Sequence, residues 1–353
     1  MMRPYGSVGA FTFGFIFDLI TLGRIDNLLT IISHGCYLIL LSGLLVCGVN
    51  DFFLEAANVH KPSVKLLFSR YSTKIYHFLL GALLSAFTIL YFKSASLSHS
   101  FLFLGFLLAI LLLNEWEPVQ KIGPVLQNLL FHICLVSYLL YALPTVLGKV
   151  GHAVFALSIL LSMVVSSGIL GLLWRRTPCW QQLKRFFVVP SMSIYGLFIF
   201  LYLFRLIPPI PLSIQHIGIY HKVERHHANY YLFTETPAWK FWVQGDESFK
   251  ARPGDRLYVF TRLFAPRGFE GRVFLKWQRV GGNGEWRTTD RIALKIVGGR
   301  DLGFRGYAFK GNYKEGQWRA VVETETGFEI GRIGFDIEFS GERGERQFRR
   351  LLN

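Results

Sequence analysis

LLTIISHGCYLILLSGLLVCGV occupies residues 28–49 without a single Lys, Arg, Asp or Glu. A helix of that length rises about 33 Å, enough to cross the roughly 30 Å hydrocarbon core of a bilayer. Working outward, the same reading applies to Ile75–Phe92, Leu97–Leu113, Ile122–Leu147, Val150–Leu173 and Phe186–Leu206. A further stretch, Val8–Leu22, is short and carries Asp18, so it reads either as a tilted seventh span or as a re-entrant or interfacial helix. The expected N-terminal architecture is an α-helical transmembrane bundle of six to seven helices.

Hydrophobic residues make up 52% of the 353, but the excess lies before Pro208, and the remainder has the composition of a soluble domain. The net charge of +15 is shared by both halves, with no block of like charge. Cys36, Cys47, Cys134 and Cys179 all lie in or beside the apolar region, so the C-terminal domain has no disulfide framework and must be held by its core. Because no small-residue cleavage site follows Val8–Leu22, the N-terminus is expected to be retained.

Lys and Arg in short loops set orientation. Lys61, Lys65, Arg70 and Lys74 follow the first span, and Arg175, Arg176, Lys184 and Arg185 precede the last; both loops should be cytoplasmic, with Lys121 on the same side. The opposite side has only Lys93 and Lys149, so the chain after Leu206 is expected outside the cytoplasm. Tyr91, Trp116, Trp174 and Tyr202 fall near segment ends, where amphipathic rings favour the headgroup level.

Leu206-Ile207-Pro208-Pro209-Ile210-Pro211-Leu212 cannot continue a helix and reads as a stiff, extended spacer. Beyond it, short runs of Val, Ile, Phe, Tyr and Trp alternate with Gly, Asn and Asp, the pattern of an all-β, immunoglobulin-like antiparallel sandwich of about eight strands. In Phe328–Phe339, Ile333, Phe335, Ile337 and Phe339 share one face, with Arg332, Asp336 and Glu338 on the other. Arg256–Leu263 and Gly271–Val280 read as strands, Gly281-Gly282-Asn283-Gly284 as a hairpin connection, and Thr326-Gly327 as a turn. The tail from Ser340 to Asn353, with Arg343, Arg346, Arg349 and Arg350, is expected to be disordered or to lie on a lipid surface. The domain plan is therefore a membrane region (1–206), a Pro-rich linker (207–215), a β-sandwich (216–340) and a basic tail (341–353).

IPPIPLSIQHIGIYHKVER (207–225), LYVFTRLFAP (257–266), LKWQR (275–279), GGRDLGFRGYAFK (298–310) and GQWRAVVETETG (316–327) together resemble bacterial membrane proteins that end in domain of unknown function family 2914. FGFIFDLITLGRIDNLLT (13–30) is similar to the opening of that family's membrane region. The resemblance implies a small C-terminal β-sandwich behind a multi-helix membrane region, and it implies no reaction. Lys276 stands before Trp277 where the family leads one to expect His.

No phosphate-binding loop, dinucleotide fingerprint, nucleophile elbow or HExxH helix is present. His226 and His227, beside His221, would point to opposite faces of a strand, and no spaced Asp or Cys accompanies them, so no metal or other cofactor is expected. Trp239, Trp242, Trp277, Trp286 and Trp318, with Tyr230, Tyr231 and Tyr307, read either as a sandwich core or as a stacking platform for sugars. Ligand-binding candidates are Trp277 and Trp318, with Arg300, Asp301 and Arg305, whose guanidiniums suit a phosphate or carboxylate unless Asp301 pairs with them.

At the membrane interface the candidates are Asp18, Arg24, Asp26, Asn114 and Glu115, because ionisable groups near lipid are costly. His34, His132, Gln127 and Asn128 lie inside spans, where helix–helix hydrogen bonding is the commoner role. The expected function is that of a non-enzymatic envelope protein in a bacterial inner membrane, whose external sandwich binds a protein, glycan or anionic lipid. An integral membrane enzyme acting on a lipid-linked substrate is the alternative, and a transporter, without visible repeats, a weaker one. Nucleic acid is not an expected partner, because the charge asymmetry places the basic domain outside the cytoplasm.

Overall fold

The computed structural model describes residues 27–56, 63–95, 97–114, 116, 123–176, 180–227, 229–240, 242–299, 303–341 and 344–353. The chain divides into two compact units, with the main change between Ile210 and Pro211. Helices form the first: α1 (Leu28–Ala56), α2 (Ser63–Ser94), α3 (Leu97–Asn114), α4 (Pro124–Leu147), α5 (His152–Arg176) and α6 (Trp180–Leu203). Five of them are long and apolar enough to cross a membrane, and α3 contributes a shorter apolar stretch, Ser100–Asn114. Among the described residues the count is therefore five to six, against the six to seven expected of the whole chain; Val8–Leu22 lies outside them.

Local chemistry sets the helix ends. The Asn27 side-chain oxygen accepts from the Leu29 N–H at 3.0 Å, capping α1. Gly123, at φ 95°, turns the chain so that α4 starts on Pro124 and not on Ile122. Helix α6 stops before the predicted Leu206: Arg205 adopts φ 58° and the Leu206 N–H returns to Leu201 O at 2.9 Å, a left-handed cap ahead of the prolines.

Within α6, Lys184–Val188 forms a π-helical turn in which the Val189 N–H bonds back to Lys184 O. Pro190 accounts for it, since its ring supplies no N–H and crowds the carbonyl of Phe186. Side chains attend the loosened backbone: Asn128 Nδ2 and Ser191 Oγ donate to Phe187 O at 3.0 and 2.6 Å. One turn along α4, His132 faces the carbonyl of Asn128 through Nδ1 (2.8 Å) and Ser166 Oγ through Nε2 (2.7 Å). A carbonyl only accepts, so Nδ1 carries the proton and Ser166 donates to Nε2. Ser166 also meets the Tyr195 hydroxyl at 2.5 Å, so this buried network ties α4, α5 and α6 together. Tyr91, expected at an interface, is buried edge-on to Phe103, whereas Trp116 and Trp174 are exposed.

The second unit consists of strands β1 (Ser213–Tyr220), β2 (Lys222–His226), β3 (Asn229–Thr234), β4 (Ser248–Ala251), β5 (Leu257–Phe264), β6 (Glu270–Val280), β7 (Trp286–Val297), β8 (Phe304–Lys310), β9 (Gly316–Thr324), β10 (Glu329–Phe339) and β11 (Arg349–Leu352). They form sheets ordered β1-β5-β8, β4-β10-β9-β6-β7 and β11-β3-β2, antiparallel except for the parallel β4–β10 pair. The described residues thus hold more strands than the eight expected, because four-residue strands such as β4 and β11 are too short to show alternation. The first strand already includes Ser213–Gln215, assigned to the linker from sequence.

The long strands match their sequence patterns. Trp277, Val273, Leu275, Ala320, Val322 and Ile337 are buried together with Leu257 and Val259, and Gly331 lies so close to Ile214 that a Cβ would press on its side chain. Phe339 departs from the pattern: it is 53% exposed at the end of β10, stacked with Tyr313. The hairpin at Gly281–Gly284 closes through the Gly281 N–H to Glu285 O (2.8 Å), with Gly284 at φ 79°.

The tail corrects the expectation of disorder: Arg349–Leu352 pair with Thr234–Tyr231, and Leu351 packs on a cluster of Tyr220, Val223, Tyr230, Leu232 and Phe260. Two apolar residues suffice because β3 otherwise presents an unpaired edge.

Trp277 is wholly buried and its indole Nε1 has no hydrogen-bond partner. Trp277→Ala is therefore expected to cost about 3–5 kcal/mol of domain stability, while Trp277→Phe, which removes no hydrogen bond, costs less than about 2 kcal/mol. Denaturant unfolding of the full chain in detergent, followed by near-ultraviolet circular dichroism, checks both; equal losses would mean the indole nitrogen is satisfied.

Candidate functional site

The strongest concentration of polar chemistry in the β-unit lies where β3 ends and β4 begins. Asp246, 3% exposed, accepts from Thr234 Oγ1 (2.7 Å), the Glu235 and Thr236 N–H groups (3.0 and 2.9 Å) and Thr236 Oγ1 (2.9 Å). This carboxylate satisfies donors that the β3 ladder leaves behind. Arg346, from the stretch expected to be disordered, bridges Glu235 (3.0 Å) and Asp255 (2.6 Å) and donates to Lys250 O (2.5 Å). Asp255 in turn accepts from the Arg252 N–H at 2.7 Å.

His221 completes the cluster, stacked on Phe249 with centroids 4.2 Å apart. Arg346, a donor only, faces its Nδ1, so the ring proton sits on Nε2, 3.6 and 3.8 Å from the carboxylates of Glu235 and Asp246 and beyond hydrogen-bond reach. Burial pushes the His221 pKa down to about 4; the carboxylate of Asp246 opposes that shift and the charge of Arg346 reinforces it. The imidazole is thus neutral at pH 7, and its approach to the carboxylates is no salt bridge there. Burial also raises the Glu235 carboxyl above its usual value, against the pull of Arg346.

Above this floor opens a cleft of about 200 Å³ lined by Glu235, Lys250, Arg252, Ser340, Glu345, Arg346 and Gln347. Lys250 is exposed at the rim, and Arg252 donates to Gly344 O at 2.5 Å while its Nε is buried without a partner. The cleft has room for one small charged group.

The residues singled out from sequence do not gather here. Trp277 and Trp318 are core side chains, the latter donating to Lys314 O at 2.8 Å, so neither can stack on a ligand. Arg305 donates to Asn353 O at 2.9 Å and lies over Tyr230, which gives it a role in holding β11. Arg300, Asp301, Asp18, Arg24, Asp26 and Glu115 lie outside the described residues. Asn114 is buried and meets His77 Nδ1 through Oδ1 at 3.0 Å, linking α3 to α2 instead of facing headgroups. Among the described residues no group of three His, Cys, Asp or Glu side chains is placed to hold a metal ion; His226 lies 3.6 Å from Glu224, and His227 sits in a turn at φ 54°.

The cluster that sequence reading missed joins residues far apart in the chain, with Arg346 lying 91 positions from Asp255 and 125 from His221. Only the short Thr234-Glu235-Thr236 run hinted at capping chemistry.

The cluster predicts acid sensitivity with a definite sign. Unfolded His takes a proton near pH 6.5, while folded His221 stays neutral down to about 4. Its contribution to stability is complete above pH 6.5 and falls away toward pH 4, by up to about 1.4 kcal/mol per pH unit. Glu235 works in the opposite sense, so the comparison of wild type with His221→Gln isolates the effect. The variant should flatten the dependence of Tm on pH between 6.5 and 4, and parallel curves would assign the acid sensitivity elsewhere.

No curated protein matches the chain. Among solved structures it is similar to an immunoglobulin-like protein from Pseudomonas aeruginosa, at 12% identity over 36% of this chain and 96% of that one, with a TM-score of 0.22. It is also similar to the Pseudomonas fluorescens alkylpurine DNA glycosylase AlkC bound to DNA containing an abasic site analog, at 11% identity over 90% of this chain and 100% of that one, with a TM-score of 0.24. At these TM-scores neither likeness bears on fold or function. Residues 270–337, from β6 to β10, match the family described as protein of unknown function (DUF2914), so the C-terminal domain carries a segment of that uncharacterised family, and the resembling stretches at 13–30, 207–225 and 257–266 lie outside the match.

Proposed function

We propose that the protein is a non-enzymatic, membrane-anchored binding protein of the bacterial envelope. In this reading the apolar helices hold it in the inner membrane, and the β-domain outside the cytoplasm takes an anionic group of an envelope lipid, glycan or protein in the cleft beside Lys250 and Arg252. The observation that carries the reading is the division of charge in that cleft. Glu235 and Arg346 are engaged with each other, whereas the Lys250 ammonium is exposed and the Arg252 guanidinium, held through Nη1 to Gly344 O, lines the cleft beside it, so that even with Glu345 the cations outnumber the acids there. Such a rim suits a phosphate or carboxylate.

An enzymatic reading has less support. Asp246 and His221 are buried and committed to structure, and Glu235, the acid at the cleft floor, is held by Arg346. The loop charges argue for an external C-terminus through Lys and Arg asymmetry.

Two measurements test the proposal. Reporters fused after Asn353 and within residues 52–74 should show an external C-terminus and a cytoplasmic first loop; a cytoplasmic C-terminus overturns the location. Calorimetric titration of the full chain in neutral nanodiscs with glycerol phosphate should show binding that weakens with salt. The Lys250→Glu/Arg252→Glu variant should bind at least about tenfold more weakly, the equivalent of about 1.4 kcal/mol, and unchanged affinity removes the cleft from the account.

A further inference from the structure

A second feature of the β-domain is the loop between β3 and β4, whose base shares Glu235 with the cleft. Its base is pinned: Asp246 holds Thr234, Glu235 and Thr236, the Asp246 N–H reaches Ile219 O at 2.8 Å, and Gly245, at φ 88°, lies so close to Ile219 that any side chain would overlap its carbonyl. Beyond the base the chain folds through two successive turns, the Lys240 N–H to Pro237 O (3.1 Å) and the Val243 N–H to Lys240 O (3.2 Å). Trp239 and Trp242 stand there 63% and 62% exposed, their ring centroids 5.8 Å apart, with the Lys240 ammonium 5.1 Å from the Trp239 ring.

A braced loop that keeps two indoles more than 60% exposed while the core buries Trp277 and Trp318 is a display and not a packing failure. The geometry points to a partner: Trp239 and Trp242 form a membrane-interface anchor that inserts into the headgroup layer of a lipid bilayer. Indole is amphipathic and gathers at that level, and a cation beside it suits the phosphate plane. The chain supplies the argument for a bilayer over a soluble occupant. Helix α6 ends at Leu203 and β1 begins at Ser213, so the connection spans at most about 35 Å even when extended. A domain tethered that closely to a helix of membrane-spanning length meets a bilayer surface at an effective concentration that a diffusing ligand does not reach.

The test uses the full-length chain with Cys36, Cys47, Cys134 and Cys179 replaced by Ala, reconstituted in phosphatidylcholine nanodiscs. An environment-sensitive NBD label is placed at Trp239→Cys or Trp242→Cys, with controls at Asn283→Cys and Glu325→Cys, in turns at opposite ends of the long sheet strands. Lipids carrying a doxyl quencher near the headgroup should quench the labels at 239 and 242 at least twofold more than either control, with blue-shifted emission. Quenching no greater than at a control, with equal access to aqueous iodide, overturns the anchor and leaves the loop to a sugar or protein. Because a label replaces an indole, the native chain gives an independent reading. The difference in tryptophan emission between wild type and Trp239→Phe/Trp242→Phe should lose at least half its intensity in brominated lipid, and an unquenched difference also overturns the proposal.

Discussion

A backbone amide withdrawn from water must find its hydrogen-bond partner inside the chain, and that requirement organises both units. A helix meets it locally, which is why long runs without charge become α1, α2, α4, α5 and α6. Where Pro190 removes a donor, the helix widens into a π-helical turn and the Phe187 carbonyl is attended by Asn128 and Ser191 from the side. The β-unit meets the same requirement through ladders, and carboxylates appear where the ladders stop: Asp246 takes the N–H groups after β3, and Asp255 takes the Arg252 N–H just after β4.

Charge placement follows from that arrangement. A buried carboxylate is tolerable only with several donors around it, as for Asp246, or with cations on two sides, as for Glu323 between Lys276 (2.6 Å) and Arg291 (3.0 Å). Lys310, equally buried, pairs with Asp290 and reaches Asn312 at 3.0 Å. Arg346 is placed more demandingly, since its planar fork serves Glu235, Asp255 and a main-chain carbonyl at once, a task the single ammonium of lysine does not match. The candidate cleft is what remains above this floor, with Lys250 and Arg252 among its lining residues.

Much of this was legible from residue order. Absence of charge over residues 28–49 and its later equivalents determined helices of membrane-spanning length, because hydropathy and helix rise are properties of a contiguous run. Two-residue alternation determined β5, β6 and β10, and Gly281–Gly284 their tightest connection, because side-chain direction and positive φ are local. Gly123 and the prolines after Leu206 placed the start of α4 and the end of α6 to within a few residues, whereas α1 runs on to Ala56 and α2 begins at Ser63, well beyond the apolar runs that announced them.

Other features depend on contacts between distant segments, and only the tertiary structure decided them. Whether Trp277 lay in the core or on a surface depended on which face the second sheet covered. The tail read as disordered or lipid-lying from its arginines, yet Arg349–Leu352 is ordered by an open edge on β3 and by the pocket that Tyr220, Tyr230 and Phe260 provide for Leu351. The His221, Asp246, Asp255 and Arg346 cluster leaves no spacing motif, because its members come from separate strands and loops and meet only once the sheets are assembled. Local sequence determined the elements and their apolar or polar character, whereas the candidate site is a property of long-range packing.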